Sequence, residues 1–246
     1  MSSIPSHGHA QAIRRDLQAI QRLRAQAADD GLRDAVNAIK QFQSRRFSAT
    51  YADCLHGGPM RPAAQFFLDE LYGPHDFSRR DAQFDRIAGS IERLFPDHVG
   101  QLAENLARLH GLSEALDFTM AQHWRACPPA STSVERYVSS WRQTGSQQQR
   151  HEQLQLVTEL GDALARLTRM KALRLALRMM RAPAKAAGLA ALQRTLEAGF
   201  DAFAALPDPQ AFLSLVHERE ATAIDTLFQS DRAAACAWLQ SQLGAA

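Results

Sequence analysis

Residues 84–109 read FDRIAGSIERLFPDHVGQLAENLARL, and two helical stripes lie in them end to end. Phe84, Ile87, Ile91 and Leu94 step by three or four residues, and Val99, Leu102, Leu106 and Leu109 resume that step after Pro96-Asp97. At 3.6 residues per turn, each set keeps to one side of a helix. Pro96 cannot continue the first helix, and Asp97 can cap the second.

The same spacing extends in both directions. Ile13, Leu17, Ile20 and Leu23 form a stripe; Asp29-Asp30-Gly31 breaks it; Leu32, Val36, Ile39 and Phe42 begin another. Leu189, Leu192, Leu196, Phe200 and Phe203 repeat it late in the chain. No run alternates with period two, so the sequence predicts no strands. Gly73-Pro74 ends a helix, since glycine accepts a left-handed turn and proline cannot extend one. Ser78 with Asp81 has the spacing of a capping box. The stretch Cys127-Pro128-Pro129-Ala130-Ser131-Thr132-Ser133 is a loop ending in capping residues. Gln143 to Gln149 reads as a second loop, Pro183 as an end or kink, and Leu206-Pro207-Asp208-Pro209 as a separator. The expectation is an all-α bundle of roughly nine helices. It forms one domain over 1–246, with a subdivision at the 127–133 loop into 1–126 and 134–246 as the alternative.

Composition excludes several classes. The 246 residues are 46% hydrophobic and 22% charged, enough for a sizeable core. Mean hydropathy is −0.30. No apolar run approaches the ~18–20 residues of a spanning helix. Met1 to Ala10 has no basic residue ahead of an apolar segment, unlike a secretory signal. Cys54, Cys127 and Cys236 are isolated, which fits a reducing compartment. These readings together predict a soluble, cytoplasmic protein. A net charge of +2 gives no general case for nucleic acid.

Charge is unevenly spread, however. Arg166, Arg169, Lys171, Arg174, Arg178, Arg181, Lys185 and Arg194 occupy a span with no acid between Asp162 and Glu197. On a helix, Lys171, Arg174, Arg178 and Arg181 share one side, with Leu173, Leu177 and Met180 beside it. Such a helix suits an anionic membrane surface, an acidic protein face or an amphipathic ligand. The plainer reading is a solvated or internally paired face. His110, Glu114 and Asp117, at i, i+4 and i+7, line one side of another helix and are weak metal candidates, since a site needs further ligands from facing helices. Helical proteins also hold haem through a single histidine, and His56, His75, His98, His110, His123, His151 and His217 are all available. His217-Glu218 lacks the second histidine of a zinc-protease helix, since Ala stands at 221. Residues 111–115, GLSEA, lack the last glycine of a nucleophile elbow.

Residues 66–74, FFLDELYGP, run on into 76–81, DFSRRD, and a second distinctive segment spans 177–189, LRMMRAPAKAAGL, continuing through Leu192-Gln193 to Glu197-Ala198-Gly199-Phe200. These segments resemble the bacterial family named for its FFLEELY motif, with Asp69 in place of its glutamate. The resemblance covers most of the chain and implies no activity or catalytic residues. The residues themselves allow two readings. Phe66, Phe67, Leu71 and Tyr72 anchor a short helix whose C-terminal acids, Asp69 and Glu70, oppose the helix dipole unless Arg79 and Arg80 compensate. Alternatively, Phe66, Phe67, Glu70, Tyr72, Arg79 and Arg80 wall a ligand pocket. The leading expectation is a non-enzymatic binding protein that uses the 166–185 helix and an adjoining apolar groove. The rivals are a metal- or haem-carrying enzyme or sensor and a structural oligomerisation module.

Overall fold

The structure, a computed structural model, describes residues 8–71, 73, 75–94 and 96–244, with only the backbone at Lys171. Among the described residues there are thirteen helical segments and no strand. In chain order they are α1 (His9–Asp29), α2 (Arg33–Thr50), α3 (Ala52–Leu55), α4 (Arg61–Glu70), α5 (Ser78–Leu94), α6 (Asp97–Ala126) and α7 (Ser133–Gln143). They continue with α8 (Gln147–Thr168), α9 (Lys171–Met179), α10 (Arg181–Ala186), α11 (Ala190–Ala204), α12 (Pro209–Gln229) and α13 (Arg232–Gly244). The all-α expectation holds. The count of nine is low because α3 and α10 are too short to carry a stripe, and because the second half is cut at more places than its prolines mark.

The breaks follow local chemistry. Gly31 takes φ +65° after α1, a backbone conformation glycine adopts without steric cost. Thr132 and Glu135 form a reciprocal capping box at the start of α7. Asp208 Oδ1 accepts from the Ala211 amide at 3.0 Å, and Pro209 takes the first position of α12. The 143–149 loop shrinks to Thr144-Gly145-Ser146. The expected box at Ser78 and Asp81 is absent. Asp76 Oδ1 accepts from the Ser78 amide and hydroxyl, and Asp81 is buried in ion pairs.

Three apolar clusters hold the helices together. Ile13, Leu17 and Ile20 of α1 meet Phe84 and Ala88 of α5 and Ala107 of α6. A second cluster joins α2, α6, α7, α12 and α13 around Phe42, Met120, Tyr137, Leu227 and Leu239. A third joins α4, α8, α11 and α12 around Phe67, Leu160, Phe203 and Phe212. The second and third draw residues from both sides of the 127–133 loop. Phe67 itself packs edge-on against Phe212, with ring centroids 5.3 Å apart. Phe66 lies over Gly199, where a Cβ would press on its ring.

Candidate functional sites: a basic surface helix and an interior polar cavity

The basic span forms α9, α10 and the start of α11. Among its described side chains, α9 buries none. Leu173 and Leu177 turn half-buried toward the bundle, while Leu175 and Met179 are 61% and 69% exposed. Met170 and Met180 extend this exposed apolar surface at the two ends of the helix. Arg174, Arg178 and Arg181 are exposed, as is Lys185. The helix thus has three faces: one toward the bundle, one basic, and one apolar and open. The open face was missed in the sequence because Leu175 and Met179, four apart, have the spacing of any core stripe.

Part of the basic face is internally paired. Arg174 Nη2 lies 3.1 Å from Asp201, and Arg181 Nε lies 2.7 Å from Glu197. Gln193 Nε2 donates to the Leu177 carbonyl at 2.7 Å, tying α9 to α11. Exposed pairs of this kind hold a helix loosely, at about 0–1 kcal/mol each. Beside the helix, where an apolar groove was expected, the described residues frame a small depression. The space between Arg174, Leu177, Arg178, Arg181, Glu197, Phe200 and Asp201 is about 10 Å³, room for a single water. Lys171's side chain lies outside the described residues. Between residues 163 and 201 the chain carries eight cations and two acids, which leaves the remainder net acidic.

The motif residues sit elsewhere. Glu70, at the end of α4, accepts from Arg80 at 3.2 Å and from Thr195 Oγ1 at 3.0 Å. This supplies the cation that an acid at a helix C-terminus requires. Asp69 instead accepts from Gln65 one turn back, and Arg79 is exposed. Tyr72 lies outside the described residues. Arg80 also stacks over Phe77, 4.0 Å from its centroid.

Behind this turn, α6 brings His110, Glu114 and Asp117 into the bundle. Glu114 accepts from Lys40 at 2.8 Å and Arg24 at 3.1 Å. Arg24 and His110 each lie 2.9 Å from Asp81. Burial opposes ionisation of Glu114, but the charges of Lys40 and Arg24 outweigh it and hold its carboxyl below the usual range. Asp81 follows the same pattern: burial is outweighed by the His110 hydrogen bond and the nearby Arg80 and Arg24 charges. Asp117 differs. It is buried, it accepts from Gln43 Nε2 at 2.9 Å, and burial pushes its carboxyl up. Two of the three side chains are committed to cations or to a carboxylate, and among the described residues no group of three or more His, Cys, Asp or Glu is placed to hold a metal.

Glu70, Arg80, Lys40, His110, Glu114 and Asp117 all line one cavity of about 100 Å³. It runs from the motif turn to a deep end formed by Arg46, Tyr137, Trp141, Arg150 and Glu220. There Arg46 grips Glu220 with both terminal nitrogens, at 3.1 and 2.6 Å, and the Tyr51 hydroxyl donates to the same carboxylate at 3.1 Å. The deep-end residues were not singled out in the sequence. Arg46 and Glu220 are 174 positions apart, and each looks like an ordinary charge on a helix.

Among the described residues the protein is all-helical, with charged side chains around an interior cavity and a basic helix left at the surface. The chain belongs to the family described as a domain of unknown function (DUF8198), which matches residues 22–234. No curated protein and no solved structure matches it.

Proposed function

We propose that this chain is a non-enzymatic binding protein that docks on an anionic membrane surface, in the cytoplasm, through α9 and α10. The observation that carries this reading is the exposed Leu175–Met179 stripe set beside a basic row, on a helix with no buried side chain among those described. Each Lys or Arg near an anionic surface contributes about 1 kcal/mol. Full burial of a Leu or Met side chain adds about 1.5–3 kcal/mol. Binding on that scale is reversible and sensitive to salt, because the Debye length is only ~8 Å at physiological ionic strength. A flat interface suits the site better than a partner's side chain does, since the depression at the base of the helix holds about 10 Å³. Among the described residues, no helix is long and apolar enough to cross a membrane, so this reading is of surface contact. Kinship with the FFLEELY family belongs to the same proposal and rests on residues 66–81 and 177–200.

The test replaces Leu175 and Met179 with Asn, which leaves both ion pairs in place. Partition onto phosphatidylglycerol vesicles is expected to weaken at least about tenfold, with thermal stability unchanged because both side chains are already in water. Equal partition of variant and wild type would contradict the reading. So would a concentration-dependent dimer that loses its affinity in the same variant, since the stripe would then be a contact between copies.

A further inference from the structure

The deep end of the interior cavity has a chemistry that the ion-pair network does not use. Tyr137 is 0% exposed and Trp141 is 6% exposed, and both line the cavity. Neither the Tyr137 hydroxyl nor the Trp141 indole nitrogen has a hydrogen-bond partner among the described residues. A buried donor left unmet costs about 1–3 kcal/mol, and the great majority of buried polar atoms have partners. The two residues lie one turn apart on α7 and line the same cavity.

Their surroundings state what that group is. The Arg150 guanidinium lies 3.9 Å over the Trp141 ring. Arg46, Arg150, Asp117 and Glu220 line the same cavity as Tyr137. Two guanidinium groups, those of Arg46 and Arg150, and one carboxylate, that of Glu220, form the deep end, so it favours a negative guest. The indole N–H is a donor only and needs an acceptor. Leu109, Leu154, Val157 and Ile224 give the cavity an apolar wall. Its ~100 Å³ corresponds to roughly seven to ten water-sized positions.

We infer that the cavity is a binding site for a small monocarboxylate of about four to six carbons, its carboxylate oxygens accepting from Tyr137 and Trp141 and its hydrocarbon body lying on the leucine wall. This site is independent of the α9 surface, and either reading can fail alone.

Pentanoate, with pentanamide as the neutral control, is the probe for ligand-observed NMR on the full chain. Pentanoate is expected to bind, and to bind at least about tenfold more tightly than pentanamide. Tyr137→Phe is expected to weaken pentanoate about tenfold while leaving the unliganded protein as stable as wild type or more so, because an unmet buried hydroxyl has been removed. That split distinguishes a ligand-binding hydroxyl from a structural one, whose loss would lower stability. Absence of pentanoate binding to wild type, equal binding of acid and amide, or full retention of binding in Tyr137→Phe would each overturn the inference.

Discussion

Replacing Glu220 with Leu tests whether the charged interior is held by its pairs. Glu220 is 6% exposed and accepts from two guanidinium nitrogens of Arg46, itself 3% exposed, and from Tyr51. Removing the carboxylate takes a charge partner and two hydrogen bonds from a buried guanidinium, which costs about 3–5 kcal/mol. Unfolding entropy near 2.1 cal/mol/K per residue, over 246 residues, gives roughly 2 K per kcal/mol. The melting temperature of Glu220→Leu is therefore expected to fall by roughly 6–10 K. Arg46→Leu combined with Glu220→Leu removes both charges and both desolvation costs, so most of that loss should return. Differential scanning calorimetry of wild type, both single variants and the double variant gives the coupling directly. A fall below about 2 K in Glu220→Leu, or a double variant worse than either single one, would show that this pair does not hold the interior.

Two further outcomes follow from the same interior. Burial raises the Asp117 carboxyl in the folded protein, so the folded state holds that proton more tightly than the unfolded chain does. Its contribution is present below the usual carboxylate value and is lost as pH rises through the folded value. Asp117→Asn keeps an acceptor for Gln43 and does not titrate. Its stability relative to wild type should rise as pH increases from about 4 toward 8, and a gap that widens toward acid in urea denaturation would contradict this. At the motif turn, a Cβ on Gly73 would run into the Asp69 carbonyl and the His75 ring. Gly73→Ala should cost on the order of 1–3 kcal/mol by the same assay, and an unchanged midpoint would show that the turn opens freely.

Much of this fold was legible in the sequence. The stripes at 13–23, 84–94 and 99–109 fall within helices, and that at 189–203 does so from Ala190 on, with Leu189 as the N-cap of α11, because one period of 3.6 records which side faces apolar neighbours. The motif's compensating cation was legible too, since Arg80 meets Glu70 only ten residues away. Other features leave no periodic trace. Arg46, Tyr137, Arg150 and Glu220 meet only after four helices have packed, and a buried charge has the same letter as a solvated one. Burial is decided by which side of a helix finds a neighbour, so the spacing of Leu175 and Met179 gave no sign that this side finds none. His110, Glu114 and Asp117 line one cavity from a single helix. Their chemistry was set by Arg24, Lys40 and Gln43, which local pattern does not bring near.

The most direct test of membrane docking is co-sedimentation of the wild-type chain with phosphatidylglycerol vesicles and with phosphatidylcholine vesicles at low ionic strength. The protein is expected to pellet with the anionic vesicles, to stay in solution with the neutral ones, and to be released from the anionic ones by about 0.5 M salt. Failure to pellet with the anionic vesicles, or equal pelleting with both, would contradict the assignment of α9 and α10 as an anionic-surface docking site.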